Sequence, residues 1–252
     1  MNPAEQSFST HVEHCFSRSA PAYERGATLQ AAVAARLARL TPPLPDGTRV
    51  DLGAGNGLLA RAIEAQAPGQ ALLRLDACLP LLEQDPLADP VLRRQWDLNR
   101  GLPEDLQNSA LLASSFALQW LEQPVVQLRH WCDALRRGGA LLLAVPCQGS
   151  FGLWHQAAEQ ADVPCTALAL PEATQLIEAT QPSLQLHQGR VLRFSRPNPG
   201  AVAFLQQIKA IGAQASRAQR LTPGELRRLI RHWPGPEQSI VWHVLVLMGQ
   251  KR

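Results

Sequence analysis

Three glycines in alternate positions follow a short apolar run near residue 50. The segment reads Val50-Asp51-Leu52-Gly53-Ala54-Gly55-Asn56-Gly57. Glycines let the backbone turn sharply after a strand and approach a ligand closely. A dinucleotide fingerprint needs another glycine at position 58, where this chain has Leu58. The spacing therefore disfavours NAD and favours a different ligand at this turn.

Two acidic residues have positions that suit ligand binding. Asp51 stands two residues before the first glycine, where its carboxylate can face a cationic amino group but would repel a pyrophosphate. Asp76 follows Gly57 by nineteen positions and ends the next predicted strand. In open α/β sheets an acidic residue at this place accepts hydrogen bonds from ribose hydroxyls. The alternative for Asp76 is an ordinary turn residue before a helix.

The histidines and cysteines do not form a metal or nucleophile motif. His11, Glu13, His14 and Cys15 lie close in sequence, but a catalytic zinc needs three converging ligands, usually with a distant member. Cys147 follows a proline but lacks the second cysteine of a zinc deaminase motif. We therefore predict no metal, and a polar helix face for the N-terminal cluster.

Strands and helices alternate around the glycine turn. Helices are predicted at Ala27–Leu40, Gly57–Ala67 and Val125–Leu135, and strands at Arg49–Leu52, Ala71–Leu75, Ala110–Ala113 and Ala140–Val145. Such alternation requires parallel crossovers. The fold class is therefore α/β, with a doubly wound, mostly parallel, Rossmann-like sheet.

The chain is long enough for one domain, which we place at residues 1–252. Residues 1–45 are expected to form an N-terminal helical cap. Residues 148–181 read as a helical insertion that caps the sheet edge. The late apolar runs Leu184–Phe194 and Ile240–Met248 predict a closing pair of strands with antiparallel pairing.

The composition indicates a folded cytoplasmic protein. Of 252 residues, 46% are hydrophobic and 18% are charged, and the net charge of +3 is too small to argue for nucleic acid. The five cysteines show no disulfide pattern, which fits a reducing compartment. The N-terminus lacks the order of a signal peptide, and no apolar run reaches membrane-spanning length.

The glycine block is similar to motif I of class I methyltransferases. Across the chain, further blocks resemble the malonyl-[acyl-carrier protein] O-methyltransferase family of biotin synthesis. These blocks are Phe16–Glu24 with Leu29-Gln30, Ser115–Trp120, the segment from Gln148 to Gln156, and Ile208–Ala213. The chain departs from the family pattern at Ala110, where an Asp is usual, and at Trp242, where a Tyr is common.

The resemblance implies transfer of a methyl group from S-adenosylmethionine, leaving S-adenosylhomocysteine, to the free carboxylate of malonyl on acyl-carrier protein. The cofactor-binding candidates are Asp51, Gly53, Ala54, Gly55, Asn56, Gly57, Asp76, Ala77, Asp97, Leu98 and Ser114. Tyr23, Gln119 and Trp120 are candidates for the substrate pocket, with ordinary packing as the alternative. A carboxylate with a pKa near ~4 is already ionised at neutral pH, so no catalytic base is expected.

Six basic residues and one acidic residue lie between Leu205 and His232. Thr222-Pro223-Gly224-Glu225 predicts a capped helix start, after which Leu226, Leu229 and Ile230 should share an apolar face. By the resemblance, the basic side chains could dock an acidic acyl-carrier protein; the alternative is a solvated helix face. These docking candidates are Lys209, Arg217, Arg220, Arg227, Arg228 and Arg231.

Three other functions compete with this interpretation. The first is a methyltransferase for another small carboxylic acid, which would share every cofactor motif. The second is a catalytically idle methyltransferase-like subunit that binds and stabilises a partner. The third is an NAD-dependent oxidoreductase, which the glycine spacing disfavours. Neither nucleic acid nor a membrane is an expected partner.

Overall fold

One seven-stranded sheet organises residues 8–252, the part of the chain that the computed structural model describes. Residues 1–7 of the predicted cap lie outside the described residues. The strands are β1 (Arg49–Leu52), β2 (Leu73–Asp76), β3 (Arg93–Gln95), β4 (Ser109–Ser115), β5 (Leu135–Pro146), β6 (Leu184–Pro197) and β7 (Ser239–Lys251). Their order in the sheet is β3-β2-β1-β4-β5-β7-β6. Strand β7 pairs antiparallel with both β5 and β6. The predicted doubly wound, mostly parallel α/β sheet with an antiparallel closing strand is therefore confirmed.

Ten α-helices are found among the described residues. They are α1 (Phe8–Ser19), α2 (Tyr23–Gly26), α3 (Thr28–Ala38), α4 (Leu58–Glu64), α5 (Leu79–Leu82), α6 (Pro124–Ala134), α7 (Gly152–Gln160), α8 (Ala173–Thr180), α9 (Ala201–Ala210) and α10 (Pro223–Arg231). Short 3-10 turns occur at Ala20–Ala22, Pro90–Leu92, Leu98–Arg100, Glu104–Leu106 and Leu118–Trp120.

Neighbouring residues of the central strands face opposite cores, because side chains alternate along a strand. Leu111 and Leu142 pack in one core with Val33 of α3 and Phe204 of α9. The other core contains Leu112 and Leu141 of the same strands, packed with α6 and α8. Burying both faces requires the nearly continuous apolar sequence that β4 and β5 have.

The structure adds strand residues that the sequence pattern did not predict. β3 was missed because it has three residues, all polar, at the edge of the sheet. β5 starts at Leu135 rather than Ala140, so Arg136–Gly139 belong to a strand and do not follow a helix as a loop. A register shift between β4 and β5 accommodates these residues.

The segment 148–181 contains two helices, α7 and α8, joined by residues without regular structure, and the two helices pack in different cores. Leu153 and Trp154 of α7 belong to one core, whereas Leu176 and Ala179 of α8 belong to the other. The segment therefore connects β5 to β6 across both faces of the sheet. Each helix has its own apolar stripe to bury, and the capping of the sheet edge by this segment stays a prediction.

No helix within residues 8–252 is both long and apolar enough to cross a bilayer.

Candidate active site

The glycine turn follows β1 and is tied to the neighbouring strand. The N–H groups of Gly53 and Ala54 both donate to the carbonyl oxygen of Leu75 in β2, over 2.7 and 3.1 Å. Gly53 has φ +69°, and a Cβ at this position would overlap the Cβ of Ala117. The turn therefore requires glycine for its conformation and for its close approach to the residues after β4.

Asp76 joins the end of β2 to the glycine turn. One carboxylate oxygen accepts a 2.8 Å hydrogen bond from Gly55 N–H, and the other accepts one of 2.8 Å from Cys78 N–H. Burial raises the pKa of this carboxyl group, and these N–H donors oppose the rise. Each oxygen retains a lone pair for a further donor, so Asp76 can still accept hydrogen bonds from a pair of hydroxyl groups.

Asp51 is buried below the turn with one oxygen unused. Its Oδ2 atom accepts a 3.0 Å hydrogen bond from Ala60 N–H in α4, whereas Oδ1 has no partner among the described residues. Burial raises the pKa of Asp51 to about 7, against the opposing effects of the Ala60 hydrogen bond and the positive charge of Arg74. A buried, half-satisfied carboxylate is stabilised by an arriving cation.

These residues line a cleft of about 920 Å³, which is partly open to solvent. Among the lining residues, the acidic side chains are Glu13, Asp51, Asp76 and Asp97, and none is Lys, Arg or His. At the far end Asp97 accepts 2.9 Å hydrogen bonds from the backbone and side-chain N–H groups of Asn99. The cleft is therefore suited to a ligand that carries positive charge.

Helices α1 and α2, with the turn between them, form a roof over this cleft. Ser9, Val12, Phe16 and Tyr23 of the roof line the cavity. At one end the Ser9 hydroxyl donates to Asp97 over 3.2 Å.

The other end of the roof is held by Glu24. Its carboxylate accepts hydrogen bonds from Arg61 at 2.9 Å and Asn56 at 3.3 Å. The roof is thus attached to the sheet domain at both ends.

A second cavity, of about 670 Å³ including open space, adjoins the cleft. The two cavities share Phe16, Tyr23, Gln30, Phe116 and Trp120 as lining residues. The remaining lining residues of the second cavity are Gln119, Pro146, Phe151, Trp154, Thr166, Leu168, Leu170, Ile208, Ile211, Ala213, Ala215 and Trp242. Of the described residues that line this cavity, only Tyr23 has an ionisable side chain. Burial, reinforced by the negative charge of Asp76, raises the pKa of the Tyr23 hydroxyl, which stays protonated at neutral pH.

Most of the cofactor candidates meet in the first cleft. The lining residues include Asp51, Gly53, Ala54, Gly55, Asn56, Asp76, Ala77, Asp97 and Leu98. Gly57 is buried away from the cleft, where a Cβ would overlap the carboxylate of Asp85. Gly57 precedes α4 in a left-handed conformation and gives room to that carboxylate, and its part in cofactor binding stays a prediction.

Ser114, another cofactor candidate, does not line the cleft, and its role stays a prediction. Its side chain is fully buried, and its hydroxyl donates a 2.8 Å hydrogen bond to the carbonyl oxygen of Leu52. The hydroxyl therefore connects β4 to β1 within the sheet. Ser115, one residue later on the opposite side of the strand, is the residue that lines the cleft.

The substrate candidates separate between the cavities. Tyr23 and Trp120 line both, whereas Gln119 lines only the second. Gln119 donates to the carbonyl oxygen of Phe116 over 2.7 Å, and its own carbonyl oxygen has no partner among the described residues. Of the two departures, Trp242 lines the second cavity and Ala110 is buried within β4.

The sequence interpretation missed several lining residues. The sequence predicts a polar helix face for Glu13 and gives no signal for Cys78 or Trp96, yet all three residues line the first cleft. The segment that carries Thr166, Leu168 and Leu170 has no regular structure, although alternate residues of it line the second cavity. Motif spacing does not reveal these positions. For Gln30, the block Leu29-Gln30 was an available signal.

The docking candidates are exposed side chains. Thr222 and Glu225 form the predicted reciprocal cap of α10. The spacing of Leu226, Leu229 and Ile230 places them on one face of α10; Leu229 is buried and Leu226 is 38% exposed. Arg228 donates to the carbonyl oxygen of Ala161 over 3.3 Å.

The other docking candidates have fewer contacts. The Arg217 guanidinium lies 3.8 Å from the ring centre of Phe8. Arg227 and Arg231 of α10, and Lys209 and Arg220 outside it, are also exposed. Carrier docking by these residues stays a prediction.

The described residues contain no group of three or more His, Cys, Asp and Glu side chains that could hold a metal ion. His11 Nε2 lies 3.9 Å from Cys15 Sγ, a contact between two side chains of one helix.

Solved structures with a similar fold are methyltransferases. The phosphoethanolamine N-methyltransferase 2 of Haemonchus contortus superposes with a TM-score of 0.59 at 16% identity, covering 99% of this chain and 61% of that one. The geranyl diphosphate C-methyltransferase of Streptomyces coelicolor, in complex with S-adenosyl-L-homocysteine, superposes with a TM-score of 0.54 at 15% identity. The match covers 100% of this chain and 86% of that one. At these identities the likeness establishes the shared fold.

The sequence relatives are more specific. A malonyl-[acyl-carrier protein] O-methyltransferase of Alcanivorax borkumensis is 28% identical, over 99% of this chain and 89% of that protein. A protein of the same name from Xylella fastidiosa is 28% identical, over 84% of this chain and 74% of that protein. The biotin biosynthesis bifunctional protein BioCD of Bordetella avium is 31% identical over 86% of this chain, which spans 47% of that longer protein. No family profile matches the chain. Over most of its length the chain is therefore similar in sequence to malonyl-[acyl-carrier protein] O-methyltransferases, and it shares the fold of the solved methyltransferases.

Proposed function

We propose that this protein is an S-adenosylmethionine-dependent carboxyl O-methyltransferase that esterifies the free carboxylate of malonyl on acyl-carrier protein, an early step of biotin synthesis. The observation that carries the proposal is the second cavity, where no lining side chain from residues 8–252 is able to act as a general base. Tyr23 is protonated there, so an alcohol, phenol or ammonium acceptor would find no group to remove its proton. A carboxylate acceptor needs none, because it is ionised already.

The acidic cleft fits the cofactor that the resemblance implies. Oδ1 of Asp51 lacks a partner in residues 8–252 and would accept a hydrogen bond from an α-ammonium group. Asp76 has lone pairs free for two ribose hydroxyls, and the close backbone at Gly53 and Gly55 leaves room for the ligand. Trp96 and Leu98 offer apolar surface to a base ring at the far end. When bound, S-adenosylmethionine supplies the electrophilic methyl group and the positive charge.

The residues shared by the two cavities would bring the reactants together. Phe16, Phe116 and Trp120 surround the junction with apolar surface and restrict water there. Phe16 and Trp120 contact edge to face at 5.5 Å, which fixes both rings. Exclusion of water favours a reaction in which an anion and a cation neutralise each other. Correct orientation supplies the remaining acceleration, without proton transfer.

The test is methyl transfer by the purified protein to malonyl-acyl-carrier protein. The expected product is the malonyl methyl ester, detected by mass spectrometry, with a single-turnover rate that is flat from about pH 6 to 9 because the acceptor carboxyl ionises below that range. A rate that rises steadily through this range would show that a base is required. Esterification of another small carboxylic acid in preference to malonyl-carrier would support the same-class alternative. Cofactor binding with no transfer to any acid would support the idle-subunit alternative.

Growth without biotin, restored in a strain that lacks its own malonyl methyltransferase, would test the function in a cell. The cytoplasmic location and the absence of a nucleic-acid partner stay predictions.

A further inference from the structure

Gln30 is a polar residue at the junction of the two cavities, and its function is unassigned. It lines both of them. It occupies the third position of α3, and Ala34, one turn later, lines the cofactor cleft on the same helix face. The residue is therefore carried by a regular helix whose position is fixed by packing of Val33 and Leu37 in the core.

The amide of Gln30 is not needed by its own helix. A glutamine at this position often accepts the cap N–H of its helix, but α3 has no side-chain cap, and the N–H of the capping residue Ala27 donates to Tyr23 over 2.9 Å. Gln30 makes no side-chain hydrogen bond with any described residue. A polar group at a ligand cavity without a protein partner is available to the ligand.

Charge explains why an amide suits this place. Methyl transfer neutralises the acceptor carboxylate, so a Lys or Arg would bind the acceptor more strongly than the transition state and would slow the reaction. Within the part of the chain that the structure describes, no Lys, Arg or His lines either cavity. A neutral N–H donor can fix the direction of the carboxylate while leaving its reacting oxygen nucleophilic.

We propose that Gln30 binds and orients the carboxylate of the acceptor through its side-chain N–H group. This inference rests on the proposed carboxyl methylation and assigns the specificity for a free acid to a neutral residue on α3. Its Nε2 group donates to the oxygen that does not react, and the other oxygen faces the methyl group.

The test reverses the charge preference of the site. Two probes are malonyl-pantetheine, which ends in a carboxylate, and malonamyl-pantetheine, which ends in an amide and is neutral. Binding of each is measured by calorimetry at pH 8.5 to the full chain saturated with S-adenosylhomocysteine. In Gln30→Glu, repulsion should weaken the malonyl probe about 10-fold or more, whereas the amide probe, which can donate to the new carboxylate, should bind as well as before or better. In Gln30→Met the protein loses the N–H donor, so the affinity for each probe should fall by about 3- to 10-fold.

Controls separate this effect from damage to the fold. Affinity for S-adenosylhomocysteine and the melting temperature should change little in both variants. Gln206→Glu adds the same charge on an exposed position of α9 and should leave both probes unchanged. Equal weakening of the two probes in Gln30→Glu, or no weakening, would overturn the assignment.

Failure of the proposed function would look different. Transfer by the unaltered protein to malonyl-carrier is measured first, and its absence refutes that function whatever Gln30 does. If the unaltered protein esterifies another acid, that acid and its amide replace the probes. Gln30→Glu must then weaken the binding of that acid and leave the binding of its amide as strong as before or stronger.

Discussion

The first cleft, where we propose that the cofactor binds, and the second cavity, where we propose that the acceptor binds, share lining residues but differ in the kind of residues that form them. They are called the cofactor cleft and the acceptor cavity below. The cleft takes most of its polar groups from residues at the carboxyl ends of adjacent parallel strands, and Asp51, Asp76 and Asp97 accept hydrogen bonds from backbone N–H groups. The acceptor cavity takes residues from α1–α3, the ends of β4 and β5, α7, an irregular segment, α9 and β7, and most are apolar. The cleft therefore depends on charge and backbone conformation, whereas the acceptor cavity depends on shape.

The largest expected effect comes from Gly53→Ala, which should abolish cofactor binding. The added methyl group would overlap Ala117, and the left-handed backbone adds strain, so the free energy of unfolding should fall by about 1–3 kcal/mol. Cofactor affinity measured by calorimetry should fall more than about 100-fold. The matched control is Gly69→Ala, where φ is +85° but no atom lies within 4 Å. The control should lose some stability and retain affinity; equal behaviour of the two variants would contradict the close approach.

Asp76→Asn should weaken cofactor binding by about 1–3 kcal/mol, because the site loses a charged acceptor for hydroxyl groups. The amide oxygen can still accept from one of the two N–H groups that Asp76 now holds, so the turn should persist. Asp105→Asn is a control, since that carboxylate is exposed and pairs with Arg94 outside the cleft. Unchanged affinity in Asp76→Asn would remove this residue from the binding site.

The raised pKa of Asp51 predicts proton release on cofactor binding. Its pKa of about 7 in the folded protein lies above the ordinary value of 3.8, so its stabilising contribution is complete below pH 4 and is lost as the pH rises through 7. A bound ammonium group should lower this pKa, so affinity should increase from pH 5 to 7 as Asp51 ionises more easily.

Calorimetry near pH 6 in two buffers of different ionisation enthalpy measures the released proton. Asp51→Asn should abolish both the release and the pH dependence. The same binding enthalpy in both buffers for the unaltered protein would show that Asp51 does not face the ammonium group.

The smallest effect is expected on the outer surface. Changing Arg227, Arg228 and Arg231 together to Glu should lower kcat/KM for malonyl-carrier by about 3- to 10-fold at low salt and less at moderate salt, because exposed charges mainly steer association. Transfer to malonyl-coenzyme A, which lacks the carrier protein, is the comparison substrate. Equal losses for both substrates would assign these residues to folding or solubility.

The contrast between the cavities also explains what the sequence could reveal. Asp51 and Asp76 were predictable, because a parallel sheet places consecutive strand ends at one edge and their spacing in sequence is characteristic. Which side of β4 faces the cleft was harder to predict from the sequence. Ser114 was chosen for the cleft, yet its side chain points into the sheet and Ser115 lines the cavity.

The acceptor cavity could not be predicted in the same way. Leu168 and Leu170 lie in a segment without a hydrogen-bonding pattern, and Trp242 and Phe16 come from opposite ends of the chain. Apolar residues in such places have the same sequence signature as ordinary core residues. Only the resemblance drew attention to Tyr23 and Trp120 before the fold was available.

The attachment of the roof has a kinetic consequence. Glu24, which holds α2 to Arg61, has a side chain that is 55% exposed. Exposed ion pairs contribute at most about 1 kcal/mol, so this attachment can break often without loss of the sheet domain. We predict that exchange of the proposed cofactor proceeds by local opening of α1 and α2, a motion that in other enzymes takes microseconds to milliseconds. Replacing Glu24 should then change the residence time of the ligand more than its place of binding.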